Sequence, residues 1–186
     1  LMSVGESVES FLFGMSHILP ALIVLTLAWV SGSLMTAVGA DRLFSRWSVG
    51  VVNPEALPTL SFVISLYVAL GTGTYGRKAL SLFPLMLVPT YEAANGGDLI
   101  LYAVVAGILS GSVAGDHISP ISDTTVLSAL ACDCGLLEHV VTQAPYVIVT
   151  VVISTLFGTI PIGYGAWPNI VGILLGALST VAFVYI

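Results

Sequence analysis

Long apolar runs alternate with short polar clusters along this chain. The apolar runs cover approximately residues 17–38, 57–70, 79–94, 99–114, 126–134, 140–162 and the stretch that begins after 169. Several of them approach or exceed the roughly 18–20 residues that a helix needs to cross a bilayer. The pattern therefore predicts an all-α, polytopic transmembrane helical bundle of about six or seven apolar segments, embedded in a lipid bilayer.

Composition strengthens this prediction and excludes other classes of protein. The hydrophobic fraction is 57%, the charged fraction is only 8%, and the mean hydropathy is +1.06; soluble domains average about 25% charged residues. Four basic residues and a net charge of −6 provide no face that could bind nucleic acid. Cys132 and Cys134 lie too close together for a structural disulfide, and we expect them to be small buried apolar residues.

One polar segment, residues 115–125, interrupts the apolar pattern between the fourth and fifth runs. An unpaired polar group in hydrocarbon costs several kcal/mol, and polar clusters of this kind mark ion or substrate pathways in membrane proteins. We therefore take its side chains as candidate ion-binding and proton-binding residues: Asp116, His117, Ser119, Ser122, Asp123, Thr124 and Thr125.

The lengths of the flanking runs predict a discontinuous helix. Residues 99–114 would cover about 24 Å as a helix and residues 126–134 less, whereas the hydrocarbon core is roughly 30 Å thick. Gly115 suits a helix C-terminal cap, and Ser119 with Pro120 suits an N-cap followed by a first helical residue. Asp123 would then lie in a first turn, where the helix dipole favours an anion. The alternative is an aqueous loop between two ordinary spans.

The chemistry of the polar segment suits a hard monovalent cation. Oxygen ligands and the backbone carbonyls of an unwound helix can bind Na+, and the two carboxylates, Asp116 and Asp123, are the candidate Na+ ligands. A carboxylate in surroundings of low dielectric can hold a proton and a cation alternately, which is sufficient for exchange. His117 either joins this site or bonds within the loop. His139 is expected only to open the next helix, whereas Gln143 in the sixth run is a second-tier candidate for the pathway.

A second polar stretch follows the second apolar run. Gly71, Thr72, Gly73 and Thr74 form either a re-entrant hairpin tip that faces the same cavity or a plain turn, and Arg77 and Lys78 come directly after. At a re-entrant tip these two cations would lie deep in the membrane, which is costly unless Asp116 or Asp123 pairs with them. At a turn in water, the two cations stay solvated and carry no desolvation cost.

Two motifs resemble a known family. Residues 115–125, Gly-Asp-His-x-Ser-Pro-Ile-Ser-Asp-Thr-Thr, and residues 139–146, His-Val-x-Thr-Gln-x-Pro-Tyr, resemble the second-half signature of NhaC-type Na+/H+ antiporters. The likeness extends weakly upstream through Ala28-Trp29 and Ala56-Leu57-Pro58. It implies a multi-pass protein of the plasma membrane with two related halves, each with an interrupted segment, that exchanges Na+ for H+. It implies a transporter without a cofactor, capable of forming a homo-oligomer, and not an enzyme.

The resemblance also implies a missing first half, because family members carry a similar polar run there and this chain has no second copy. We therefore expect residues 1–186 to form a single membrane domain, the C-terminal half of an antiporter. Such a fragment could also be inactive in transport. Arg77 and Lys78 depart from the family pattern and keep a small carboxylate, such as malate or lactate, open as the substrate. An intramembrane aspartyl protease is excluded, because its signature would require glycine at Val113.

Overall fold

The computed structural model describes residues 3–39, 53–73, 82–83, 86–87, 90–91 and 98–185. Within these ranges the chain is helical and has no strand, so the predicted helical bundle is confirmed. The helices are α1 (Val4–Ala37), a 3₁₀ turn (Pro54–Ala56), α2 (Leu57–Thr72), α3 (Asp98–His117), α4 (Asp123–Ala131), α5 (Leu136–Ile153), a π-helix (Ser154–Thr159), α6 (Ile160–Gly163) and α7 (Asn169–Tyr185).

Three of the described helical stretches are long and apolar enough to cross a membrane: Pro54–Thr72, Asp98–His117 and Leu136–Gly163. The last is a continuous stretch of 28 residues, because the π-helix joins α5 to α6 without a break. These lengths and compositions identify a membrane protein.

Helices α2 and α3 pack with their backbones almost in contact. Glycines at 107, 111 and 115 lie on one face of α3, and a Cβ atom at Gly107 would come within 2.6 Å of the Pro58 carbonyl oxygen. A Cβ at Gly111 would overlap the carbonyl of Phe62, and one at Gly115 would overlap that of Leu66. Small residues at this spacing permit close helix approach in membranes. Because the contacting residue numbers rise together, the two helices run parallel.

The apolar core lies toward the N-terminal ends of this parallel pair. Leu57 on α2 packs with Val104 and Ile108 on α3, and Leu82 and Met86 complete the cluster. The chain between Gly73 and Asp98 therefore starts at one end of the pair and finishes at the other. The opposite end of the pair carries the polar segment.

The structure corrects several predicted helix boundaries. Helix α3 continues through Gly115 to His117, so Gly115 is a packing residue and not a C-terminal cap. At 20 residues, or about 30 Å, α3 can cross a bilayer without help from α4. The N-cap residue of α4 is Ser122, and Ser119 with Pro120 lies in the turn before it. The interruption itself, residues 118–122, lies where the sequence predicts it.

Two other predictions fail outside the polar segment. Helix α1 begins at Val4 and not near residue 17, because Ser3 and Glu6 form a capping box. The Ser3 amide donates to Glu6 Oε2 at 2.7 Å, and the Glu6 amide donates to Ser3 Oγ at 3.3 Å, which satisfies two otherwise free helix donors. Cys132 and Cys134 are free thiols as expected, but both are exposed and not buried, since they follow the end of the short α4.

Candidate functional site

Asp116 occupies the last turn of α3 and is almost completely buried, with an exposed fraction of 1%. Both carboxylate oxygens accept hydrogen bonds from beyond the interruption. Ser122 Oγ donates to Oδ1 at 2.7 Å, and Thr124 Oγ1 donates to Oδ2 at 2.6 Å. Hydrogen bonds of this kind to an ionised carboxylate are stronger than those between neutral groups. The break in the helix therefore lets the start of α4 fold back onto the carboxylate that ends α3.

Local hydrogen bonds hold the turn in this position. The Ser119 amide donates to the Asp116 carbonyl at 3.1 Å, and the Ser122 amide donates to the Ser119 carbonyl at 3.3 Å. Ser119 Oγ donates across the bundle to the Leu70 carbonyl on α2 at 2.8 Å. Thr125 Oγ1 makes a longer bond of 3.4 Å to the Asp116 carbonyl. The turn is thus tied to both α2 and α3, which fixes the geometry around Asp116.

The end of α2 lies directly against the polar segment. Gly73 adopts a left-handed conformation with φ of 62°, and a Cβ atom there would overlap the Ile121 carbonyl. Glycine is therefore needed for both the backbone conformation and the contact. Thr72 is buried and donates to the Val68 carbonyl of its own helix at 2.7 Å, while Gly71 is exposed. The other candidates from this stretch, Thr74, Arg77 and Lys78, lie outside the described residues.

A cavity of about 450 Å³ opens beside Asp116, and we call it the Asp116 cavity. Its lining comprises Val113, Asp116, His117, Thr124, Thr125, Ser128, His139 and Gln143. Gln143 of α5 thus lies next to the polar segment. Gln143 Oε1 is buried and has no hydrogen-bond partner among the described residues. A buried amide oxygen without a partner is available to a ligand.

His117 faces the same cavity with a defined tautomer. A carbonyl oxygen can only accept, so the bond of 2.8 Å between His117 Nδ1 and the Val113 carbonyl requires a proton on Nδ1. In the neutral ring, Nε2 then presents a lone pair. Sequence reasoning left His117 undecided between the ion site and a bond within the loop; its ring instead bonds within helix α3 and lines the Asp116 cavity.

Three lining residues were missed from the sequence. His139 was expected only to start α5, and Val113 and Ser128 were not considered. Helical spacing could have identified two of them, because His139 precedes Gln143 by four residues and Ser128 follows Thr124 by four, which puts each pair on one helix face.

Asp123, by contrast, does not line the Asp116 cavity. It is half-buried in the first turn of α4, and its Oδ1 accepts the amide of Thr124 at 2.9 Å. A carboxylate at this position stabilises the helix through the dipole. The two carboxylates that the sequence treats alike therefore have different surroundings, one in a cavity and one at a helix end.

The Asp116 cavity combines one carboxylate with hydroxyl, amide and imidazole groups. No cluster of three or more His, Cys, Asp or Glu side chains suited to a metal ion occurs within the described ranges. All four basic residues of the chain, Arg42, Arg46, Arg77 and Lys78, are outside those ranges. Within the described part, Asp116 is therefore stabilised by hydroxyl groups and not by a cationic side chain.

Comparison with known proteins connects this geometry to a family. The model of the Na+/H+ antiporter family matches residues 1–164. An uncharacterized protein of Haemophilus influenzae is 30% identical over 185 residues, which cover 99% of this chain and 34% of the relative. An uncharacterized Na+/H+ antiporter of the same organism is 26% identical over 150 residues, covering 75% of this chain and 30% of the relative.

A third relative has a more specific name. The malate-2H+/Na+-lactate antiporter of Bacillus subtilis is 26% identical over 158 residues, covering 81% of this chain and 32% of the relative. The chain therefore spans about a third of the length of the curated relatives that it matches. No solved structure matches the chain significantly.

Proposed function

This chain belongs to the Na+/H+ antiporter family, and on that basis we propose that it forms part of a multi-pass transporter of the plasma membrane that exchanges Na+ for H+. Family membership supports antiport in general, and the Asp116 cavity supports the choice of ions. The single observation that carries the proposal is a buried carboxylate that accepts two hydroxyl bonds and opens on a cavity lined by further acceptors.

Asp116 is the exchanging group in this proposal. In its ionised form the carboxylate accepts the Ser122 and Thr124 hydroxyl bonds and attracts Na+ from the cavity. When a proton binds, the carboxyl group becomes neutral and its attraction for Na+ is lost. A carboxylate carries a single negative charge, so one proton or one Na+ balances it at a time. Competition at one site is a sufficient basis for exchange.

Gln143 contributes a neutral oxygen to the same site. Gln143 lines the cavity that Asp116 lines, its buried Oε1 has no hydrogen-bond partner among the described residues, and amide oxygens are suitable ligands for hard cations. Ser122 and Thr124 act as donors that stabilise the ionised carboxylate. Asp123 supports α4 from its first turn, so we assign exchange to Asp116 first and keep Asp123 as the second candidate.

Sodium-dependent proton flux in reconstituted proteoliposomes tests this assignment. We expect Asp116→Asn to abolish the flux, because an amide cannot take up a proton or balance Na+. Asp98→Asn is the matched control on the same helix, since Asp98 is exposed in the first turn of α3, and it should retain flux. Asp123→Asn reports on the second carboxylate. Undiminished flux in Asp116→Asn would refute the proposal.

A second candidate function is ion-coupled exchange of small carboxylates. The similarity to a malate-2H+/Na+-lactate antiporter favours it, and His117 and His139 in the cavity wall could donate to a carboxylate when protonated. The fixed negative group Asp116 and the acceptor Gln143 Oε1 oppose it. Proton flux that is driven by a malate or lactate gradient in the presence of Na+ would establish this function, whereas flux that responds to Na+ but not to malate or lactate would exclude it.

A further inference from the structure

A second cavity of about 530 Å³ lies between α2, α3 and α5, and we call it the α3–α5 cavity. It shares two wall residues, Val113 and His117, with the Asp116 cavity. Along α3 its lining extends from His117 back to Ala106, which corresponds to about 16 Å of helix axis. Since α3 has the length of a full span, this cavity extends from the polar segment toward the middle of the helix.

Three of the four polar side chains in this wall have a common property. Ser110 Oγ donates to the Ala106 carbonyl at 2.6 Å, and Thr150 Oγ1 donates to the Val147 carbonyl at 2.9 Å. The Nδ1 proton of His117 is likewise donated to the carbonyl of its own helix, at Val113. The two hydroxyls have thus used their protons within their own helices and have only lone pairs left for the cavity, as does the imidazole in its neutral form.

A wall that presents lone pairs favours water and cations and disfavours anions. The remaining lining is largely apolar, including Phe62, Leu109 and Val151, so a cation would meet few sites strong enough to trap it. Weak, repeated acceptor sites of this kind allow passage, whereas a single strong site would retain the ion. The far end of the cavity reaches Ser154, where the π-helix begins, and π turns occur frequently at functional sites.

We propose that the α3–α5 cavity is a water-filled access route through which cations reach the Asp116 cavity, with Val113 at the junction between the two. This inference rests on the proposed function, and it adds the direction from which the ion arrives and the residues that it passes. A lipid acyl chain is the competing occupant of the cavity, and it would exclude water.

Cysteine accessibility distinguishes these occupants. In the full protein with Cys132→Ser and Cys134→Ser, we would introduce Ser110→Cys, which is close to isosteric, or Thr150→Cys, which removes one methyl group. The matched controls are Ile148→Cys and Val152→Cys on α5, which are exposed on the helix but line neither cavity. Monodisperse elution in size-exclusion chromatography establishes that each variant is folded.

The readout is the reaction rate with a cationic methanethiosulfonate reagent added to both sides of proteoliposomes. Only the thiolate reacts, and one unit of pKa difference between a wetted and a lipid-covered thiol changes the thiolate fraction about tenfold. We therefore expect Ser110→Cys and Thr150→Cys to react about tenfold faster than the two controls, and faster with the cationic reagent than with an anionic one of similar size. Equal rates at all four positions would overturn the access route, and a preference for the anionic reagent would overturn its cation selectivity.

The same preparations separate this inference from the proposed function. If Ser110→Cys is labelled fast but the protein shows no Na+/H+ exchange, the water-filled route stands and its assignment to Na+ is rejected. Active exchange in a protein whose Ser110→Cys and Thr150→Cys variants resist labelling would keep the proposed function and reject the route. Val113→Trp should fill the junction and lower Na+ flux while Thr150→Cys remains reactive, and unchanged flux would reject the junction.

Discussion

Replacing Thr124 with valine tests how Asp116 chooses between a proton and Na+. The change preserves the shape of the side chain and removes the hydroxyl that donates to Asp116 Oδ2 at 2.6 Å. Ser122 Oγ still donates to Oδ1 at 2.7 Å, so the carboxylate keeps one of its two hydroxyl partners. The ionised carboxylate loses more stabilisation than the neutral acid does, because hydrogen bonds to charged groups are stronger than those to neutral groups.

The expected change in the competition between protons and Na+ follows from this loss of stabilisation. A hydrogen bond to a charged group contributes about 1.5–3 kcal/mol, and Thr124 lies at the exposed edge of the cavity, where water replaces part of the loss. We take about 1.4 kcal/mol as the net destabilisation of the ionised form, which is a factor of ten in an equilibrium constant. Protons then compete about tenfold better, and the Na+ concentration for half-maximal exchange at acidic pH should rise by about the same factor.

The assay is a Na+ titration of proton flux in proteoliposomes at an acidic and an alkaline pH. If the effect arises through proton competition, the rise in half-saturating Na+ should shrink at alkaline pH, where few protons compete. Thr124→Ser keeps a hydroxyl at this position and serves as the matched control. A rise that persists unchanged at alkaline pH would identify Thr124 as a direct Na+ ligand, and no rise at either pH would show that the bond is unimportant. Either result refutes the reasoning.

Three further perturbations probe the bundle and the site. Gly111→Ala should lower the free energy of unfolding by about 1–3 kcal/mol, since its Cβ would overlap the Phe62 carbonyl. Gly71→Ala, at a helical position with open space around it, should be neutral or stabilising. Equal thermal stabilities of the two variants would contradict the close packing of α2 and α3. Gln143→Leu should raise half-saturating Na+ similarly at both pH values, because it removes a ligand oxygen without changing the carboxylate; unaltered Na+ affinity would exclude that role. Ser119→Ala should destabilise the protein by about 1 kcal/mol in thermal unfolding, because the Leu70 carbonyl loses its partner, and full stability would show that the tie is dispensable.

Within the described residues, the local pattern of apolar and polar residues was sufficient to predict the helices and the position of the break between α3 and α4. Apolar runs predicted the helices, since a helix in lipid satisfies its own backbone, and a concentrated polar segment could only interrupt them. The same pattern was less reliable in predicting the residues at which helices begin and end. Glycine is the residue type expected at a helix C-terminal cap, but Gly115 instead allows α3 to pack closely against Leu66 of α2. The capping box of Ser3 and Glu6 starts α1 earlier than the hydropathy pattern indicates.

The candidate site could be predicted as a list of residues but not as an arrangement. His117, Thr124 and Gln143 were named from the sequence, and the structure places all three on the Asp116 cavity. His139 was set aside, although it lies on the same wall. The reason is that residue type shows what a side chain can do, whereas its neighbours depend on how α3, α4 and α5 pack.

By itself, the sequence determined that this is a helical membrane protein and that its polar chemistry is concentrated between residues 115 and 125, because hydropathy and residue type are local properties. Only the tertiary structure separated Asp116 from Asp123. The glycine contacts between α2 and α3 and the bond from Ser119 to Leu70 bury the end of α3, and the turn brings Ser122 and Thr124 back to Asp116. The sequence treats the two carboxylates alike, and long-range packing decides which one faces the cavity.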